Sequence, residues 1–547
     1  MGRWWKSGRV YKTTLAAGGV TALLLVAACG DKEAEIAAAV NNETTTVATV
    51  ALDPAQAPVI QKAIDDYLQL VEGPADRRIV RHDAVKVTPG STAFDVAIEG
   101  ITIGPKGEGG LVIGTLGYRL TPKGTDGFIA SDLTHAPSLS FMDKDGKETG
   151  TVSFTTKTFS GEWSSNLQTF LALDWQAEKI ITKDNAPDGG DMTASSLMVN
   201  LASADKGNGL YDQTVKLELS GFSTKNETGE SFGLGKTIVA STMSGIKLKE
   251  YVAKTREMQT LMAEIAGITA QAQAQAQAQA GVQGSGGTAP AGISDEQAAR
   301  LSGMIKDMPG LIDGISSDIN VEDISFKKAG DTEPFRLARG NLAIGFTGLG
   351  AEKATVNFAI GHDGLVIKSP DFAQNPLFAK LLPAAGKLDL NLTDVPSKEL
   401  WQLIGENFPG LITADPARSE AAANVMFVAM QQLLEKASMK LAVAPSGLTS
   451  EVLQLDATGA FDVKPDAVFG LAGTLDVGLH GLDEAMKLAN EAAPNSPDAA
   501  QIVGGLAMLQ SMAKRETGSD GKPVDKLKLE VDAAGVAKVN GMPLSGM

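Results

Sequence analysis

"LSFMDKDGKETGTVSF", residues 139–154, decides the fold class. Leu139 and Phe141 alternate with polar neighbours ahead of "DKDG", and Val152 and Phe154 resume the alternation beyond it. Successive side chains of a strand point to opposite faces, so period-two spacing marks a strand with one covered face. Asp-Gly between two such runs marks a hairpin. The stretch therefore predicts two antiparallel strands joined by a tight turn.

The same grammar extends in both directions. Leu111, Ile113 and Thr115 alternate, as do Leu116, Tyr118 and Leu120. In the second half Val356, Phe358 and Ile360 lead into "GHDG", residues 361–364, and Leu365 and Ile367 lead out, which predicts another turn with His362 inside it. Leu527, Leu529 and Val531 meet Val536 and Val539 across "DAAG". One-sided alternation of this kind implies antiparallel sheets covered on one side, and 60 glycines suit the many tight turns required.

Helical spacing replaces it in a few places. Val59, Ile60, Ile64, Leu68 and Leu70 predict a helix over residues 55–71. Leu248, Tyr251, Val252, Met258, Leu261, Met262 and Ile265 form a second stripe. "SDEQ", residues 294–297, is a capping box that opens a third, with Leu301, Met304, Ile305, Met308 and Leu311. Between the last two runs "QAQAQAQAQAGVQGSGGTAPAG" from Gln271 to Gly292, whose Ala/Gln part can extend the preceding helix and whose Gly-rich part reads as flexible linker. A further helix is expected from Pro416 to Ser438, with Asp415 as N-cap and Pro416 at N1. The expected fold is α+β: β-rich, extended antiparallel sheets with helices packed on one side and a helical-hairpin insert. Its regions are residues 53–245 (β-rich), 246–316 (helical insert) and 317–547 (β-rich with helices).

Residues 1–28 read as an address. Arg3, Lys6, Arg9 and Lys12 stand without an acid, and an apolar run follows from Leu15 to Ala28. A basic start and a short apolar core define a secretory signal peptide; the run is shorter than the roughly 20 residues that span a bilayer. Val26-Ala27-Ala28-Cys29 resembles a bacterial lipobox. The resemblance implies cleavage before Cys29, a diacylglycerol thioether on its sulfur and acylation of the new amino terminus. Cys29 is the only cysteine among 547 residues, so it has no partner for a disulfide. Gly30, not Asp, follows it, which by the sorting pattern of such lipoproteins favours the outer over the inner membrane. Residues 29–52, small and polar, read as a tether holding the body off the membrane on its periplasmic face.

Two segments echo one another. "GKLDLNLTDV" from Gly386 and "GTLDVGLHGL" from Gly473 are both strands that run into helices, at residues 398–404 and 484–488. "FDVAIEGI" from Phe94 shares their apolar pattern, with Asp95 and Gly100 matching Asp476 and Gly481. The stretch "GTLDVGLHGLDEAMKLANEA" with "VDKLKLEVDAAGVAKVNGMPL", together with "FDVAIEGITI" and "FSGEWSSNL", resembles an alphaproteobacterial envelope family, domain of unknown function 2125. The resemblance implies a membrane-tethered β-rich body and carries over no activity and no catalytic residue.

Composition and motifs point away from catalysis. A net charge of −17 repels phosphate backbones, so no nucleic-acid partner is expected. "GESFGLGKT", residues 229–237, places five residues where a phosphate loop needs four, and strand-like "IVAST" follows where a helix is needed. "DKDGKET" starts like a calcium loop, but its twelfth position is Phe154, not an acid. The four histidines have no metal-like spacing, and no serine is recognisably supported by a His and an Asp. The expectation is a non-enzymatic protein without cofactor or metal. Two readings of its role stand. One is a β-sheet groove that takes lipid or another apolar ligand, lined by Leu388, Leu390, Leu392, Leu475, Val477 and Leu479, although for alternating residues of this kind an ordinary closed core is the favoured reading. The other is a scaffold that binds an outer-membrane or cell-wall partner through the helical insert.

Overall fold

Alternation becomes strand over most of the chain. The computed structural model describes residues 51–72, 80–104, 109–124, 127–185, 190–226, 229–280, 294–327, 335–368, 376–412, 416–464, 467, 470–518 and 521–544. The lipobox residues Val26, Ala27 and Ala28, Cys29 itself, nearly all of the tether, the Gly-rich linker and Asp415 lie outside the described residues. The fold is α+β, β-rich and antiparallel throughout. It divides into two compact units: residues up to 227 with 238–317 and 401–427, and residues 228–237 with 318–400 and 428–547.

The first unit opens with helix α1 (Ala57–Glu72), preceded by a 3-10 turn that Asp53 caps by accepting the Ala55 N–H at 3.0 Å. Strands β1 (Val80–Arg81), β2 (Ala84–Pro89), β3 (Phe94–Ile103), β4 (Gly109–Lys123), β5 (Gly127–Thr134), β6 (Ser138–Asp143), β7 (Glu148–Ser164), β8 (Thr169–Asp184), β9 (Asp191–Gly207) and β10 (Leu210–Lys225) follow. β6 and β7 are the hairpin read from residues 139–154, with Leu139 opposite Val152. Asp143 stabilises its turn: Oδ1 accepts the N–H groups of Asp145 and Lys147, each at 2.9 Å. The Lys147 bond leads in holding this carboxyl below its ordinary range.

β5 and β6 occupy one lane. β4 pairs with β6 through residues 109–112 and with β5 through 117–123, and β7 pairs with both. The lane breaks at His135-Ala136-Pro137, where proline has no N–H to give a ladder. α1 lays Ile60, Ile64 and Leu68 onto this sheet, closing a core around Phe94, Ile101, Leu111 and Leu120.

Strand β11 (Ser231–Lys247) passes directly into α2 (Leu248–Ala280), so the Ala/Gln tract to residue 280 is helical. α3 (Asp295–Asp307) begins with the capping box: Ser294 Oγ accepts the Gln297 N–H, and Gln297 Oε1 accepts the Ser294 N–H. α2 and α3 form a hairpin whose Leu261, Ile265, Leu301 and Met304 are buried together. β12 (Gly314–Lys327) follows.

The second unit has β13 (Phe335–Thr347), β14 (Ala354–Ile367), α4 (Pro376–Leu381) and β15 (Ala385–Val395), which enters α5 (Ser397–Leu411). Residues 401–427, most of α5 and the first half of α6 (Pro416–Lys436), belong to the first unit. The second resumes at residue 428 with the rest of α6, followed by β16 (Lys440–Thr449), β17 (Gln454–Val463) and β18 (Leu471–His480), which enters α7 (Leu482–Ala492). α8 (Pro497–Met512), β19 (Lys514–Thr517), β20 (Pro523–Val531), β21 (Ala537–Val539) and β22 (Met542–Pro543) complete it. β13 to β18 pair consecutively, β18 then pairs with β20, and β20 with β21 across the "DAAG" turn. Each echo segment is thus a strand entering a helix, except that β3 continues into β4; Gly100 and Gly481 share a left-handed backbone, with φ of 68° and 80°.

The turn expected at "GHDG" is absent. Residues 354–367 are one strand, paired with β13 along its length, and His362 lies within it opposite Gly340. Gly364 keeps the left-handed φ of 66° that gave the turn signal, but a Cβ there would sit 2.5 Å from the Ala338 Cβ. Glycine is present to let the neighbouring strand approach, and the ladder continues through it. Among the described residues no helix is long and apolar enough to cross a membrane.

Candidate functional site

Two places gather apolar side chains without sealing them. In the second unit directly paired residues share a face of the sheet, so the pairings define a rung: Ile344, Phe358, Leu390, Val443, Gly459, Leu475 and Leu529, on seven strands. Parallel to it run Ile360 with Leu388, and Val356 with Leu392, Leu441 and Phe461. Val477 pairs with Ala457 and Leu527 on the same face. All six residues singled out for a groove therefore stand on one face, with two strands between the two sets.

Their burial is graded. Leu479 is buried where the strand meets α7, while Leu390, Leu392, Leu475 and Val477 are half-buried. Leu388 is 40% exposed and its neighbour Ile360 45%. The reverse face is polar, with Asp456, Asp476, Lys526 and Lys528 exposed. It forms an open cleft of about 840 Å³ whose charges pair locally, as in Lys526 with Glu516 at 2.8 Å and Lys528 with Glu530 at 2.8 Å.

In the first unit a cavity of about 90 Å³ lies between α1 and the sheet. β-bulges build it. The register shifts between Ile98 and Ile101 at Gly100, so two residues of odd separation both face inward, and Gly114 does the same for Ile113 and Leu116. On β7 the ladder skips Lys157, which puts Phe154 and Phe159 on one side. The broken lane adds Leu133, His135 and Leu139, and α1 adds Ile64, Tyr67 and Leu68.

The polar groups here are few. His135 stacks on Phe154 with ring centroids 4.4 Å apart. Its Nδ1 lies 2.7 Å from the Ala136 carbonyl and its Nε2 3.1 Å from Thr156 Oγ1, so both ring nitrogens are engaged. Tyr67 and Tyr118 are each 8% exposed. Burial pushes both phenols well above their ordinary pKa, and a charged Tyr67 would oppose ionisation of Tyr118 further; both stay neutral. Neither hydroxyl has a hydrogen-bond partner among the described residues.

Two further histidines are held by carboxylates. His82 fastens the end of α1, with Nδ1 2.5 Å from Glu72 Oε1 and Nε2 2.9 Å from Asp65 Oδ1. The Glu72 hydrogen bond leads in raising its pKa, against desolvation and with help from Asp65. His480 Nε2 lies 2.9 Å from Asp456. Among the described residues no three His, Cys, Asp or Glu side chains form a metal-holding group. Residues 229–233 also spell G-x-S-x-G, but a nucleophile elbow needs a strand-to-helix turn, and Ser231 here begins the long strand β11.

No protein-family model, curated protein or solved structure matches the chain. The likeness to the envelope family rests on its short motifs alone.

Proposed function

We propose that this chain is a non-enzymatic envelope lipoprotein, held in the outer membrane by lipid on Cys29 and facing the periplasm, whose C-terminal sheet cradles lipid acyl chains. The observation that carries this reading is the half-exposed apolar rung from Ile344 to Leu529, backed by a polar reverse face. A sheet that needed only a core would bury such side chains. Each acyl methylene laid along the face recovers about 0.8 kcal/mol when fully buried, so a chain of ordinary length gains several kcal/mol. No catalytic group is required.

A scaffolding role through the helical insert draws less support, because the hairpin buries Leu261, Ile265, Leu301 and Met304 against one another. The lipid reading is tested by organic extraction and mass spectrometry of the purified full-length chain. Stoichiometric non-covalent lipid is expected, and Leu390→Asp with Val477→Asp should remove it while circular dichroism stays unchanged. A folded parent that carries none, even after incubation with phospholipid vesicles, rejects the groove. Cys29→Ser should separately move the chain from the membrane to the soluble fraction.

A further inference from the structure

The cavity of the first unit is independent of the acyl-chain reading. We infer that it is a binding site for a neutral, largely apolar small molecule of about four non-hydrogen atoms that carries a single hydroxyl or carbonyl group. Its volume sets the size. At about 90 Å³ it matches the space of about three waters in the liquid and is about three-fifths of the roughly 150 Å³ that holds the six carbons of benzene in an engineered cavity. Its walls set the polarity, being Ile, Leu, Phe and Trp apart from three side chains.

Those three specify the rest. His135 already uses both ring nitrogens, and among the described residues no Lys, Arg, Asp or Glu lines the space to serve a charged guest as counter-ion. Tyr67 and Tyr118 line it more than nine-tenths buried, and their hydroxyls are unpartnered among the described residues. Buried hydroxyls are ordinarily paired. Waters filling this volume would want two to four polar partners each, more than two phenols provide. A guest with one polar atom and an apolar body satisfies the hydroxyls and the walls together. Access is through the half-buried rim of Leu116, Leu133, Phe154, Phe159 and Phe170.

The test uses the full chain and two probes of nearly equal size, propan-2-ol and 2-chloropropane, titrated by ligand-observed NMR. Tyr67→Phe with Tyr118→Phe removes both hydroxyls and leaves the rings. Propan-2-ol should bind the parent, and its affinity should fall about tenfold in the double variant, as expected for two lost hydrogen bonds of modest net strength. 2-Chloropropane should bind the variant at least as well as the parent. Leu133→Trp, at the rim, should exclude both probes while circular dichroism stays unchanged. The inference is overturned if propan-2-ol does not bind the parent, if the tyrosine substitutions leave its affinity alone or weaken both probes equally, or if binding survives Leu133→Trp in the folded protein.

Discussion

Leu388→Ala separates an open apolar face from a closed core. Complete burial of a leucine is worth about 1.5–3 kcal/mol relative to exposure. Leu388 retains 40% of its surface in water, so it realises roughly three-fifths of that, and alanine keeps the Cβ share; about 1 kcal/mol remains to be lost. No cavity term is added, because solvent fills the space that the side chain leaves. Leu173 in the first unit is 2% exposed, and there Leu→Ala costs about 2–5 kcal/mol, including the void. Two units need not unfold together, so the assay is amide hydrogen exchange resolved by mass spectrometry, which reads local opening free energies strand by strand. Protection in β14 to β16 should drop by about 1 kcal/mol for Leu388→Ala, while β8 and β9 lose at least twice as much for Leu173→Ala. A loss near 3 kcal/mol at Leu388 would mean that the face is sealed, and the groove reasoning fails with it.

Other outcomes follow from individual contacts. The first unit should lose stability as pH rises from about 6.5 through the raised pKa of His82, because protonated His82 holds Glu72 and Asp65 only in the folded state; urea midpoints at pH 6 and pH 9 should differ in that sense, and His82→Gln should flatten the difference. Gly364→Ala should cost about 1 kcal/mol or more from its positive φ and the approach to Ala338, with Ala338→Gly restoring part of the loss in a denaturation cycle. Ser294→Ala should remove about 1 kcal/mol from α3, visible as faster exchange of the Gln297 amide.

Much of this architecture could be read from spacing. Leu139, Phe141, Val152 and Phe154 announced their hairpin, and "SDEQ" its helix start, because these signals act over a few residues. "GHDG" misled for the same reason: the local preference of Asp-Gly for a turn is real, but β13 pairs on both sides of it and keeps the strand whole. The six candidate residues were legible as alternating sets, whereas their sharing one face, with Leu390 and Leu475 joined in one rung through Val443 and Gly459, depends on strand pairing. The cavity was not legible at all. Its walls converge because bulges at Gly100, Gly114 and Lys157 reverse the alternation that a strand pattern assumes, and Tyr67 reaches it from a helix some fifty residues before Tyr118 in sequence.

The two units handle one pattern in opposite ways, and the difference is informative. In the first unit α1 spends its apolar side on the sheet, burying Ile60, Ile64 and Leu68 against β-strand residues such as Phe94 and Ile101. In the second unit α7 and α8 spend theirs on each other, through Ala485, Ala489 and Ala499, all fully buried, with Leu482 and Leu506 beside them. Alanine at such positions allows helices to approach closely and leaves little side chain to cover anything else. The half-exposed rung is therefore a consequence of where the helices pack, rather than of a weak sheet. Leaving it in water costs about 25 cal/mol for every Å², a standing cost that an apolar occupant would remove. On this argument the proposed acyl chain belongs on the second unit, and the proposed small neutral guest, enclosed by aromatic walls, on the first.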